Sequence, residues 1–490
     1  MTLDLLLIHN GGTNGIYDAS KILRDPAFLN NFDRVGIFHP NLHKYIEYRN
    51  KDFEEPFKEV KCKDWNEIYK EIGTPQIIIN GYDDIWLKDK LKEWKENGAK
   101  IIYHYHGIVP VKNWFNSAYV SAYLYRNPQN NKLDLYLEIN RYKKGYWDPS
   151  ILIRTLSILN NNSTEALGSG DLRWGDTLRN SPEYTKGIWY YEKPWREWLD
   201  SMVESIQQSD IIVAPSESAK HQINSILGAY NIKIQSEVIP HYVEFTYDSQ
   251  LVDEFKDSLR EELEKSNAEL IVVLSGRRAM EKGVIETLDT LETLHTRGYK
   301  VLLLINGIDN IDSAESEFID YQGTNAEGYS APHLPAMQRI ITTNVPKKDL
   351  GDIAKKYPYK QPFEIINSYY KALGDLFKEG YNIVFSGISR DEQFGMVHAK
   401  MILAGVPIIY RGDNAVGELV KDCDKKFDVL NYDKEEWKVC PYQLRITNMT
   451  ARLFEEILED RLKLQPLQYV NSTSKHNYVQ QWKSIIDKMQ

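Results

Sequence analysis

Tyr381–Tyr410 reads YNIVFSGISRDEQFGMVHAKMILAGVPIIY, and the fold is decided here. Ile383, Val384 and Phe385 form the short apolar run of a buried strand. A polar loop follows, and Phe394-Gly395 opens a helix that continues through Met401 to Ala404. Gly405-Val406-Pro407 ends that helix and starts a second buried strand at Ile408-Ile409. In a parallel sheet, ligands bind where strand ends meet helix starts, because the free backbone N–H groups and the helix dipole favour anions. Gly395 has no side chain to keep an anion from the backbone. Taken alone, the stretch is equally an ordinary strand–loop–helix unit.

The same grammar extends in both directions. Upstream, Leu270–Leu274 reads as a strand, followed by the basic loop Ser275-Gly276-Arg277-Arg278-Ala279-Met280-Glu281-Lys282-Gly283 and a helix over Val284–Leu294. Arg277 and Lys282 place fixed positive charge beside a strand end, although surface Arg and Lys are usually just solvated. Lys300–Asn306 is a further strand, residues 309–338 are polar and turn-rich, and Ile340–Val345 reads as another strand. Phe363–Phe377 is helical. Asp422-Cys423-Asp424, among lysines, reads as surface loop rather than a metal site. Tyr478–Met489 is an amphipathic helix.

In the first half, Leu3–Ile8 is a buried strand running into His9-Asn10-Gly11-Gly12-Thr13-Asn14-Gly15. The loop is a tight turn or a place for bare backbone to meet a phosphate or sugar. Strands at Val35–Phe38, Gln76–Asn80 and Lys100–Tyr105 alternate with helices near Trp65–Ile72 and Ile85–Glu96, which predicts βαβ units and a parallel sheet. His104 and His106 close the last strand; either histidine alone reads as packed or surface. Six of the eleven tryptophans lie between Lys112 and Trp198, where the pattern loosens. They fit a buried helical layer, or an acceptor-side wall of rings that pack on sugar faces. Pro194–Gln207 reads as an amphipathic helix, Asp210–Ala214 as a strand, and Ser216 as the cap of the next helix.

Several of these segments together resemble retaining glycosyltransferases of family 4. Glu392-Gln393-Phe394-Gly395-Met396 with Ala399–Pro407 is similar to the family's E-G-F-G-L…E-A-M-A-x-G-x-P-V segment, and Gly276–Gly283 to its G-R-L-x-x-E-K-G loop. Pro215-Ser216-Glu217 resembles the P-S-E closing its N-terminal domain, and Val238–Val243 its I-P-N-G-V crossover, with His241-Tyr242 in place of Asn-Gly. The resemblance implies an α/β chain of the GT-B fold: two Rossmann-like domains facing across a cleft. Residues 1–240 would be the acceptor domain and 241–473 the nucleotide-sugar domain, with an insertion near 309–338. Residues 474–490 would cross back to the first domain. It also implies catalytic roles for Glu392, His106, Arg277 and Lys282, and donor contacts at Gly12, Gly276, Arg277, Lys282, Val345, Phe394, Gly395, Met396 and Lys400.

In the mechanism so implied, Arg277, Lys282 and the Gly395 amide hold the departing diphosphate, where negative charge builds. A phosphate oxygen takes the acceptor proton, and the anomeric configuration is retained. Glu392 holds donor-sugar hydroxyls, with His106 opposite. The family's second glutamate falls on Lys400. An ammonium has three donors and no acceptor, so it cannot receive ribose hydroxyls. Lys400 then grips phosphate, or the nucleotide is unusual, or the protein is a weak or inactive binder; the first is expected. A non-catalytic GT-B subunit that binds saccharide or nucleotide, and a nucleotide-sugar epimerase on the same fold, are the alternatives.

Composition sets the limits. The chain has 490 residues, enough for two or three domains, and 42% hydrophobic with 27% charged residues is a globular mixture. A net charge of -10 supplies no field to recruit nucleic acid. Cys62, Cys423 and Cys440 are too scattered for a disulfide framework or zinc site, and with no signal-peptide pattern at the start a cytoplasmic location is expected. No apolar run of about 18 residues predicts a membrane span. Peripheral membrane contact and oligomerisation through the insertions stay open. The expected partners are a nucleotide-sugar donor and a saccharide, lipid-linked or protein acceptor, with no nucleic acid. No cofactor and no metal are expected.

Overall fold

The computed structural model describes residues 3–9, 21–61, 65–82, 87–106, 202–276, 282–306, 343–349, 362–389, 392, 394–412, 414–420, 422–432, 442–470 and 474–489. Two sheets organise them. The first is built from β1 (Leu3–Ile8), β2 (Arg34–His39), β3 (Lys44–Arg49), β4 (Lys58–Lys61), β5 (Pro75–Asn80), β6 (Lys100–His104), β7 (Ile211–Ala214) and β8 (Gln235–Val238), in the order β4-β3-β2-β1-β5-β6-β7-β8. β2, β1, β5, β6, β7 and β8 are parallel, whereas β3 and β4 are antiparallel additions at one edge. Helices α1 (Trp65–Glu71), α2 (Lys88–Glu96) and α3 (Glu217–Ala229) lie between or beside these strands in the chain. The cap of α3 is as expected: Ser216 Oγ accepts from Ala219 N–H at 3.0 Å.

The antiparallel edge departs from the parallel sheet that the strand–helix alternation predicts. In β3 the inward positions are Tyr45 and Glu47, so a charge stands where alternation asks for an apolar side chain. Burial acts to raise the pKa of Glu47. Arg34 Nε and Arg49 Nε, donating to it at 2.7 and 2.6 Å, and the Tyr45 hydroxyl at 3.1 Å outweigh burial and hold it below the usual range.

The second sheet contains β9 (Leu270–Ser275), β10 (Val301–Asn306), β11 (Lys347–Asp349), β12 (Ile383–Gly387) and β13 (Ile408–Tyr410), all parallel, in the order β11-β10-β9-β12-β13. Renumbered along the chain this is 3-2-1-4-5, the doubly wound Rossmann order. Successive residues of a strand point to opposite faces. Accordingly Leu270, Val272 and Leu274 of β9 pack on α5 (Val284–Thr296) and α8 (Tyr442–Leu458). Ile271 and Val273 pack on α4 (Ser249–Ser266) and α6 (Pro362–Lys378) on the other side. The strand expected over Ile340–Val345 falls later, at Lys347–Asp349. Among the described residues of the earlier range, Val345 is a core side chain; Pro346, which has no N–H, lends its carbonyl to Leu303 before the ladder begins. Asp424 is a second correction. It is buried and accepts from Gln465 Nε2 at 3.1 Å and Gln468 N–H at 2.9 Å, a structural role rather than a surface loop.

The terminal helix α9 (Lys475–Met489) buries Tyr478, Val479, Trp482, Ile485 and Ile486 against Leu5, Leu7, Ile77 and Ile102 of the first sheet. The chain therefore ends on the unit where it began. Two Rossmann-like sheets joined by this returning helix are the GT-B arrangement. No helix among the described residues is long and apolar enough to cross a membrane.

Candidate active site

In the 3-2-1-4-5 order the strand order reverses between β9 and β12, and a doubly wound sheet holds its ligand in the crevice at that point. β9 ends in Ser275, followed by Gly276 at φ +108°, and β12 ends in Gly387. A hollow opens between them, lined among others by Ser275, Gly276, Lys282, Ser389, Glu392 and His398. Several expected residues from loops more than 100 positions apart therefore share one cavity.

Its floor is fixed by hydrogen bonds. Asn414 Nδ2 donates to Ser389 O at 2.9 Å, and its Oδ1 accepts from Val416 N–H at 2.9 Å. The Ala415 N–H donates to Glu392 O at 3.1 Å. Helix α7 (Met396–Ala404) starts from Gly395 at φ +85°, a left-handed backbone that side-chained residues rarely adopt. His398 in its first turn is bonded through Nε2 to Gly387 O at 2.8 Å, so that nitrogen carries the proton. Burial lowers the pKa of His398, against the raising effects of the Glu392 charge and the Gly387 carbonyl. At neutral pH it is an uncharged spacer between β12 and α7.

Among the described residues lining the cavity, the charges belong to Lys282 and Glu392, which form an ion pair with side chains 22% and 13% exposed. The ammonium expected at phosphate and the carboxylate expected at sugar hydroxyls are thus within reach of each other. Both are accessible enough to exchange partners. Lys400, on the same helix, is buried at 4% exposure. Phe394 joins a small cluster with Ala399 and Leu419, on which Val243 and Met396 pack, so its ring is structural. Val345 is likewise core, with its N–H directed to Thr343 Oγ1 at 3.3 Å. Arg277 and Gly12 lie outside the described residues, as does the tryptophan-rich passage from Lys112 to Trp198.

The first sheet reverses between β1 and β5, and a second constellation sits there. His9 follows β1, Gly81 follows β5, and His104 and His106 end β6. His9 Nε2 is 3.3 Å from His104 Nδ1, and the His104 and His106 rings are 4.0 Å apart. His106 stacks on His241 at 5.4 Å, and His241 meets Phe394 edge-on at 5.0 Å. This row of rings runs from the end of β6 to Phe394, the residue before Gly395. Burial pushes His106 down to about 3. It also holds His104 and His241 well below the usual imidazole value. All three are neutral at pH 7. Read singly, His9 and His241 carried no signal; only the strand order brings them together.

The two units are also clamped directly. Glu418, in the short helix Val416–Leu419, accepts from Glu217 N–H at 2.9 Å and Ser218 N–H at 2.8 Å. A carboxylate of the second unit thus meets the positive end of α3 in the first.

No known family profile and no curated protein sequence matches the chain. Among solved structures it is similar to a sucrose-phosphate synthase from Thermosynechococcus elongatus, with 14% identity, 99% of this chain and 97% of that one covered, and a TM-score of 0.48. It is similar to Anabaena HepE, solved in complex with UDP-glucose, at 12% identity, 99% coverage of each and a TM-score of 0.46. A UDP-forming alpha,alpha-trehalose-phosphate synthase from Burkholderia xenovorans gives 10% identity, 100% and 99% coverage and a TM-score of 0.42. Coverage is long and identity low; the sheet orders above rest on strand registers, not on these likenesses.

Proposed function

We propose that this chain is a glycosyltransferase that moves a sugar from a nucleoside-diphosphate sugar to an acceptor hydroxyl with retention of anomeric configuration. The observation that carries this reading is the crevice between β9 and β12, where Lys282, Glu392 and the Gly395-led start of α7 share one cavity. Lys282 would leave Glu392 for the diphosphate, and the first amides of α7 would meet the same charge. Glu392, released, would accept hydroxyls of the transferred sugar. Arg277, next to Gly276 in sequence, would add a second cation. Stabilising charge on the leaving group is the largest contribution such a site makes. His106, neutral and across the cleft, would orient the sugar rather than carry charge.

The acceptor would enter from the first unit, on the side of His106. A saccharide, a lipid-linked sugar and a protein hydroxyl all fit this chemistry. Buried Lys400 stands where the resembling family has a glutamate, and this favours one second reading, a binder that holds nucleotide without turning the sugar over.

A panel of nucleoside-diphosphate sugars tests both readings, with released nucleoside diphosphate measured by mass spectrometry. Release from at least one donor, abolished by Lys282→Ala and by Glu392→Gln, is the expected result. Thermal stabilisation by nucleotide with no release from any donor would establish the binder instead. Conversion of the donor without acceptor or free diphosphate would indicate epimerisation. Proton NMR of the product reads the anomeric outcome.

A further inference from the structure

The histidines at the first sheet's reversal do more than fill space. His9 and His104 are buried and His106 partly so, and their ring nitrogens lie within 4.8 Å of one another. His106 Nε2 is buried with no hydrogen-bond partner among the described residues, and beside it His9 Nε2 and His104 Nδ1 meet in a single long contact of 3.3 Å. Buried polar atoms are nearly always paired, so an orphaned nitrogen beside such a long contact needs a physical reason. Gly81 supplies part of it. A Cβ at Gly81 would stand 2.7 Å from His9 Nε2 and 3.0 Å from His106 Nε2. The missing methyl keeps open the space onto which those two nitrogens converge. The 3.3 Å between His9 Nε2 and His104 Nδ1 matches the edge of a tetrahedron, about 3.3–3.4 Å, around an ion with nitrogens at about 2.0–2.1 Å.

We infer that His9, His104 and His106 form a binding site for a divalent transition-metal ion of the zinc class, at the carboxyl ends of β1 and β6. Neutral imidazoles bind such ions through a lone pair, whereas magnesium and calcium require oxygen ligands. Three protein ligands leave a tetrahedral ion one further position, for water or an oxygen of a molecule in the cleft. His39 Nδ1, 3.0 Å from His9 O, and the edge of Trp482, 4.9 Å from the His104 ring, hold the ligands in place. Arg24 is near enough to His9 to act on its charge and opposes a dication. The site is therefore weaker than an all-cysteine structural site and selects for ions that favour nitrogen.

The intact chain, freed of metal by chelator, is dialysed against zinc and its metal content measured. Cobalt is then titrated while the visible spectrum is followed. One equivalent per chain, with the strong bands of tetrahedral cobalt, is expected. His106→Gln, at the most accessible ligand, should weaken binding at least about tenfold. His295→Ala, at an exposed histidine elsewhere, should leave it unchanged. His9→Gln is the second variant, with circular dichroism confirming that each protein is folded. A folded parent that takes up no stoichiometric zinc would overturn the site, as would a folded His106→Gln protein of full affinity. None of these readouts depends on sugar transfer, so either proposal can fail while the other stands.

Discussion

Lys282 and Glu392 pair with each other in the second crevice, and in the proposed reaction each would leave the other. Removing either should therefore act on the donor more than on the fold. Lys282→Ala is expected to lower donor cleavage about 10²–10³-fold, the usual effect of losing one preorganised donor to developing negative charge. A chevron or urea curve close to the parent's would show that the loss is not unfolding. Unchanged turnover would mean that the diphosphate lies elsewhere. Lys400→Glu places a carboxylate at a buried position of α7 and, on the proposed reading that Lys400 grips phosphate, should reduce nucleoside-diphosphate affinity, read by calorimetry. Strong new turnover in a parent that lacked it would show the parent to be the inactive binder. His398 gives a pH signature. Its folded pKa is lowered by burial, so below about pH 6.5 the unfolded chain takes up a proton that the native one refuses. Stability should fall with pH from there towards the folded value, by at most about 1.4 kcal/mol per pH unit for this one group. His398→Gln should lessen that slope by its own share, the rest coming from buried His9, His104, His106 and His241, in urea titrations at several pH values.

At the scale of elements, most of the second unit could be read directly. β12, α7 and β13 fall where apolar runs, Gly395 and Gly405 place them, because strands buried on both faces leave a continuous apolar run and the two glycines bracket the helix between them. β3 could not be read so. Its inward Glu47 is made tolerable by Arg34, 13 residues away in sequence, and no local pattern shows that partner. The histidine site was hidden for a related reason: positions 9, 104, 106 and 241 meet only after β1 and β6 have been ordered in the sheet. α9, in contrast, announced itself through its apolar stripe. Trp482 is fully buried within it, and Trp482→Ala should cost about 3–5 kcal/mol. Because this helix joins the chain's end to its beginning, that loss should appear in unfolding of the first unit. Ser216→Ala removes the cap of α3 and should cost about 1 kcal/mol in the same experiment.

Across the whole molecule, the two units meet where His106 stacks on His241 and His241 meets Phe394 edge-on, and where Glu418 holds α3. Burial raises the pKa of Glu418, and the Ser218 and Glu217 amides act against that rise without cancelling it. Glu418→Ala leaves those two amides without their acceptor and should reduce stability by about 1–2 kcal/mol, measured in urea. The central claim is that the second crevice receives the phosphates of an activated sugar. A crystal structure with a bound nucleoside diphosphate tests it most directly. Phosphate oxygens within hydrogen-bond distance of Lys282 Nζ and the first amides of α7, with Glu392 released, are the predicted result. A diphosphate bound away from Gly276 and Gly395, with the Lys282–Glu392 pair intact, would contradict it.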